Sequence, residues 1–191
     1  AGAVRPSEAP DELRVPQAWT RRGSKAIEPL PALCQKANQL RAESEHVGMS
    51  LFADETEMAS RVVSAAGAKP EGLRDGFEAF SRTQPKQYGG SNNEALNAGS
   101  SLLSLLRRSA DKRRQLTDEF LSAEHVLLAM LEDDRCGAKL LAGLGLDEGQ
   151  LRSAIDEVRG NRRITSRSAE ASYEALSKYA RDLTKEAREG R

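Results

Sequence analysis

Apolar residues recur at helical steps through most of the chain. Val126, Leu127, Met130 and Leu131 lie at i, i+1, i+4 and i+5, which places them in one stripe on a helix. Leu151, Ile155 and Val158 repeat at i, i+4 and i+7. The first of these patterns is written twice: AEHVLLAMLEDD, starting at Ala123, has a degraded twin in SEHVGMSLFADE, starting at Ser44 and 79 positions upstream. With one residue dropped from the later copy the register continues. Val62 and Val63 then match Leu140 and Leu141, Gly67 matches Gly145, and Leu73, Arg74, Phe77 and Phe80 fall on Leu151, Arg152, Ile155 and Val158. Each copy therefore predicts three short helices.

The punctuation agrees with the periodicity. Gly145 is placed to end a helix in the left-handed conformation, Asp147 with Gln150 reads as a capping box, and Pro70 occupies the favoured first helical position. A further helix is predicted before each copy. Leu102, Leu103, Leu105 and Leu106 carry the one before the second; Ala26, Ile27, Leu30, Leu33 and Cys34 carry the one before the first. Pro29 and Pro31 interrupt the latter, so that helix either starts at Pro29 or is kinked, since an interior proline costs roughly 3 kcal/mol. Strand signals are absent. The expectation is an all-α fold: eight helices in a pseudo-two-fold double repeat of a four-helix unit, the halves joined by TQPKQYGGSN and followed by a linker helix. Gly48 stands where the second copy has Leu127, which predicts an uneven groove between the halves.

Domain boundaries follow from composition. Residues 1–18 are rich in proline and small side chains and read as a flexible extension; residues 19–160 hold the double repeat. Residues 161–191 read as a basic hinge and a linker helix, because Tyr173, Leu176, Tyr179 and Leu183 form a thin apolar stripe that needs a neighbour, expected beyond Arg191.

Composition narrows the function. The chain balances 29 basic against 29 acidic residues, and no aromatic side chains interleave with its basic clusters, which argues against nucleic acid and reads those clusters as solvated faces. No apolar run approaches the roughly 18 residues needed to span a membrane, and the N-terminal stretch lacks a secretory core, although a trimmed organelle address is compatible with it. Cys34 and Cys136 match no metal spacing and read as reduced core residues in a reducing compartment. The pairs Glu45-His46 and Glu124-His125 read as structural, with the glutamate in a helix's first turn and no third catalytic partner beside it. The chain contains no G-x-x-x-x-G-K-[ST] phosphate loop, so no enzyme activity is expected of it.

The doubled EHV-L motif, the glycine-ended helix, the RGNRRIT stretch and above all YEALSKYARDLTKEAREGR resemble the N-terminal domain and following linker of ClpB-type disaggregase chaperones, from about Trp19 to the end. The resemblance implies a domain above an ATP-driven hexameric ring that lies beyond this chain. It captures unfolded or aggregated polypeptide and passes it to the ring, in collaboration with a seventy-kilodalton heat-shock chaperone system. ATP and magnesium would belong to that ring and no cofactor to this chain; nucleic acid and membrane would not be partners. Cytoplasm is the implied location, with mitochondrion or plastid as the alternatives. By the same resemblance Thr20, Asp118 and Glu124 border the substrate groove, while Arg108 and Lys112 stand where the family has apolar residues. Residue by residue, Thr20 also reads as a helix N-cap and Asp118 as a turn residue. The alternative function is an adaptor-docking domain of a Clp protease-linked unfoldase.

Overall fold

The computed structural model describes residues 16–88 and 97–173. The fold is all-α. Four helices make the first repeat: α1 (Leu30–Ala37), α2 (Ser44–Leu51), α3 (Met58–Ala65) and α4 (Pro70–Thr83). Four make the second: α5 (Ser100–Gln115), α6 (Ala123–Met130), α7 (Gly137–Gly143) and α8 (Glu148–Arg159). The expected stops and starts are in place. Gly145 sits at φ 71° and Gly67 at φ 88°, where a side chain would be strained, and Asp147 Oδ1 accepts from Gln150 N–H at 2.8 Å while Gln150 Oε1 accepts from Asp147 N–H at 3.0 Å.

The damaged helix resolves as a start. α1 begins at Leu30, with Pro29 as its N-cap and Pro31 inside the first turn, where the missing N–H would have had no partner anyway. The residues that would have extended it backwards form instead a short 3₁₀ turn, Gly23–Ala26. Its counterpart α5 runs uninterrupted over 16 residues.

The halves are interlocked. α3 packs on α8 and α4 on α7, so each repeat's third helix lies against the other's fourth, and one continuous apolar core runs through both. A parallel pairing of β1 (Arg41–Ala42) with β2 (Asn97–Ala98) and an isolated parallel bridge between Trp19 and Leu121 repeat the same exchange. In each case the lead-in to one half pairs with the residues just before the EHV helix of the other. These contacts correct the expectation of no strands; two-residue strands are too short to leave an alternating pattern.

The Gly48 asymmetry is absorbed inside the core. A Cβ on Gly48 would stand 2.5 Å from the Phe77 ring, which is fully buried and stacks on Phe52 with centroids 6.2 Å apart. Where the second copy has Leu127 and Ile155, the first has Gly48 and Phe77, so a small residue faces a large one at matched positions. Cys34 and Cys136 are free, buried thiols, each pushed up to about 12 by burial and then by neighbouring carboxylates.

Residues 161–173, the beginning of the stretch read as hinge and linker, lie against the domain rather than away from it. The periodicity gave no warning because the contacts are made by extended backbone and by isolated side chains. The predicted positions Leu176, Tyr179 and Leu183 of the linker helix, most of the N-terminal extension, and residues 89–92 of the joining segment lie outside the described residues.

Candidate functional site

Each EHV helix opens with the same device. Ser122, the N-cap of α6, accepts from the backbone of His125, and its own N–H donates to His125 Nδ1 at 2.9 Å; Glu43 and His46 do the same at 3.0 Å in the first repeat. Histidine thus fills the place that glutamate or glutamine takes in the usual capping box. Because Nδ1 accepts, the ring proton is on Nε2, which donates to Asp118 Oδ2 at 2.7 Å in the second copy and to Gln39 Oε1 at 2.6 Å in the first. Burial holds His46 below its ordinary value, consistent with a neutral ring. Each ring thus ties the N-cap of its helix to a side chain seven residues upstream.

Asp118 and Glu124 are joined through a residue of the basic cluster Arg159 to Arg167, expected to be solvated face and hinge, and that residue is instead buried. Arg159, at the end of α8, donates from Nη2 to Asp118 Oδ2 at 2.9 Å and from Nε to Glu124 Oε1 at 2.7 Å. The three side chains are at most 4% exposed. Burial alone would raise both carboxyls. It is outweighed at Asp118 by hydrogen bonds from His125 and the Ile164 N–H and by the Arg159 charge, and at Glu124 chiefly by that charge, so both lie below the ordinary carboxylate range.

Thr20 reaches the same place from the far end of the sequence. Its N–H donates to Leu121 O at 2.8 Å, and its hydroxyl accepts from Gly23 N–H at 2.9 Å and donates to Glu170 Oε1. The sequence also reads Thr20 as a helix N-cap; the N-cap of the 3₁₀ turn is instead Arg22, and the Thr20 hydroxyl meets the Gly23 amide from two residues further back. The structure gathers all three predicted residues near the seam, and all three are buried there: Thr20 and Glu124 fully, Asp118 nearly so. Their cover comes from the chain itself. The Ile164 N–H donates to Asp118 Oδ1 at 2.7 Å, Ile164 O accepts from Glu119 N–H at 2.9 Å, and Ile164, Ala169 and Tyr173 form with Phe120 an apolar cluster separate from the main core.

The repeat register shows what makes this site ionic. Asp118 corresponds to Gln39 and Arg159 to Ser81, and the first copy joins its pair neutrally: Gln39 Nε2 donates to Ser81 O at 2.9 Å and Ser81 Oγ to Gln39 Oε1 at 3.3 Å. Without an arginine at position 81, Glu45 is held by Arg135 from beyond α6, through bonds of 2.7 and 2.9 Å. A cavity of about 600 Å³ stands open there, bordered by Gln39, Leu40, Arg41, Glu45, Gln84 to Gln87 and Arg135. An arginine matching a buried serine of the other copy was the available signal for Arg159; Ile164 and Glu170 left none.

Lys112, expected on a solvated face, is 5% exposed and pairs with Glu132 at 2.8 Å and Glu148 at 3.2 Å; Arg108 stands 4.0 Å from Glu132. The stem of α5's lysine is buried while its charge is met by acids on two other segments. Among the described residues no group of three or more histidine, cysteine, aspartate or glutamate side chains is arranged to hold a metal, and no helix is long and apolar enough to cross a membrane.

An all-α double repeat with exchanged third and fourth helices is a known architecture. The structure superimposes on the Hsp104 N-terminal domain from Candida albicans with a TM-score of 0.67 and 18% identity, covering 80% of this chain and 98% of that one. It also matches the N-terminal domain of the ClpV1 ATPase from E. coli, at a TM-score of 0.62 and 18% identity over 78% of this chain and 88% of the other. These likenesses define the fold. Residues 19–144 match the Clp repeat (R) N-terminal domain, and the chain belongs to that family. Among full-length relatives, it is 39% identical over 92% of its length to Chaperone protein ClpB 1 of Thermosynechococcus vestitus, and 36% identical over 92% to Chaperone protein ClpB 2 of Nostoc sp.. The chain spans 20% of the length of each of these curated relatives.

Proposed function

We propose that this chain is the substrate-capturing domain of an ATP-dependent protein disaggregase, binding unfolded or aggregated polypeptide and delivering it to a hexameric ring. The observation that carries the reading is that Thr20, tied by its N–H to Leu121 O, is brought from the start of the first repeat to the segment of the second that holds the Asp118, Arg159 and Glu124 network. ATP hydrolysis is assigned in this proposal to the ring, since the sequence of this chain holds no G-x-x-x-x-G-K-[ST] loop. A seventy-kilodalton chaperone partner and a cytoplasmic setting complete the proposal. Burying a few client side chains at roughly 25 cal/mol per Å² gives modest affinity, which suits capture followed by release.

Titration of a permanently unfolded protein into the isotope-labelled chain tests this. Amide shifts should concentrate at Thr20, Asp118, Glu124 and residues 161–173; shifts scattered over the surface would refute it. The open cavity over Glu45, bordered by Arg41, Lys86 and Arg135, favours a second reading, docking of a folded adaptor. That reading requires binding to a native partner which is lost when the partner is denatured.

A further inference from the structure

We propose that residues 161–173 form a displaceable strap that holds the Thr20, Asp118 and Glu124 cleft shut and yields to an extended segment of unfolded polypeptide making the same main-chain contacts. The inference rests on the capture function above and adds how the cleft is closed and what it recognises.

The strap meets the domain through the backbone of Ile164. Ile164 gives its N–H to Asp118 Oδ1 at 2.7 Å and takes the Glu119 N–H on its carbonyl at 2.9 Å. Both bonds read backbone, so any extended chain can supply them, and the specificity falls to the side chain between them. That side chain is fully buried against Phe120 of the domain and against the strap's own Ala169 and Tyr173, so the ground that the domain itself offers an incoming side chain is Phe120. Further along, Arg21 N–H donates to Arg167 O at 2.8 Å and Arg167 Nε to Trp19 O at 3.0 Å.

Two features make the strap removable. Its apolar cluster is separate from the main core, so its departure leaves the double repeat packed. The floor beneath it keeps its own bonds, because Asp118, Glu124, Arg159 and His125 remain paired with one another, and an uncovered cleft would stay preorganised. In the first repeat, among the described residues, a cavity stands open over Gln39 and Glu45, the counterparts of Asp118 and Glu124.

The strap also carries a fault. Glu170 is 2% exposed, and its carboxyl is pushed up by burial and further by Glu124, against the opposing effects of the Thr20 hydroxyl and the Arg22 charge. An anchor that is disfavoured in its ionised form holds less firmly than its contacts imply.

The test uses the full 191-residue chain in wild-type, Ile164→Asp and Glu170→Gln forms, with Tyr173→Ser as a second release variant should the first not fold. Hydrogen exchange at the Glu119 and Ile164 amides reports the strap. Emission from Trp19, the single tryptophan and a member of the main core, checks that the core stays closed. Affinity is read as fluorescence anisotropy of labelled, reduced and carboxymethylated lactalbumin. Release should speed exchange, leave Trp19 emission unchanged and tighten binding by about fivefold or more, since apparent affinity scales with the open fraction. Glu170→Gln, which keeps an acceptor for Thr20 and removes the charge, should slow exchange and weaken binding. If wild type binds and release leaves affinity equal or weaker, residues 161–173 are a wall of the site and the strap is refuted. If no form binds, the capture function falls and the strap with it.

Discussion

Replacing Arg159 with serine, the residue at the matching position of the first repeat, tests whether the second site is held by charge. Arg159 is the shared partner of Asp118 and Glu124, whose side chains are fully buried. Removing one member of a buried ion network leaves the others uncompensated, at a cost of about 3–5 kcal/mol. For a domain of this size that is on the order of 10 °C in midpoint temperature. The pH dependence should change sign as well. In the wild type both carboxyls lie below their ordinary range, so their stabilisation is present above the unfolded pKa and is lost as pH falls through the folded values. Without Arg159, burial dominates and raises them, and stability should then increase as pH is lowered from 7 towards 5. Urea unfolding at several pH values measures both effects. Adding Asp118→Gln and Glu124→Gln to Arg159→Ser copies the neutral Gln39 and Ser81 pair, removes both orphaned charges, and should recover most of the loss. A loss below about 1 kcal/mol with an unchanged pH slope would refute the argument, because it would mean that water reaches the carboxylates.

Two further outcomes follow from the packing. Gly48→Ala drives a methyl into the Phe77 ring and should cost about 1–3 kcal/mol by thermal unfolding, whereas Gly48→Leu combined with Phe77→Ile, which copies the second repeat, should cost less than Gly48→Leu alone. Cys34 and Cys136, buried and with thiols pushed up to about 12, should resist a disulfide reagent at pH 8 in the native chain and react at once in denaturant; a fast native reaction would show that the core opens.

The helices and their order were legible in the sequence because their signals are local. Stripes at three- and four-residue steps, the Asp147 and Gln150 box, Pro70 at a first turn and Gly145 past a last one are each decided within a few residues. The repeat added one long-range fact, that two halves share a design, and family resemblance added Thr20, Asp118 and Glu124. Tertiary structure decided which groups those residues meet. That α3 lies on α8 and α4 on α7, that Trp19 pairs with Leu121, and that Arg159 spans Asp118 and Glu124 are choices between partners far apart in the chain, to which periodicity is blind. Residues 161–173 show the limit most clearly. Their composition is that of a charged, aperiodic hinge, and they are docked because the backbone of Ile164 and Arg167, the side chains of Arg163, Arg167 and Glu170, and one buried isoleucine find complementary ground that only the assembled double repeat presents.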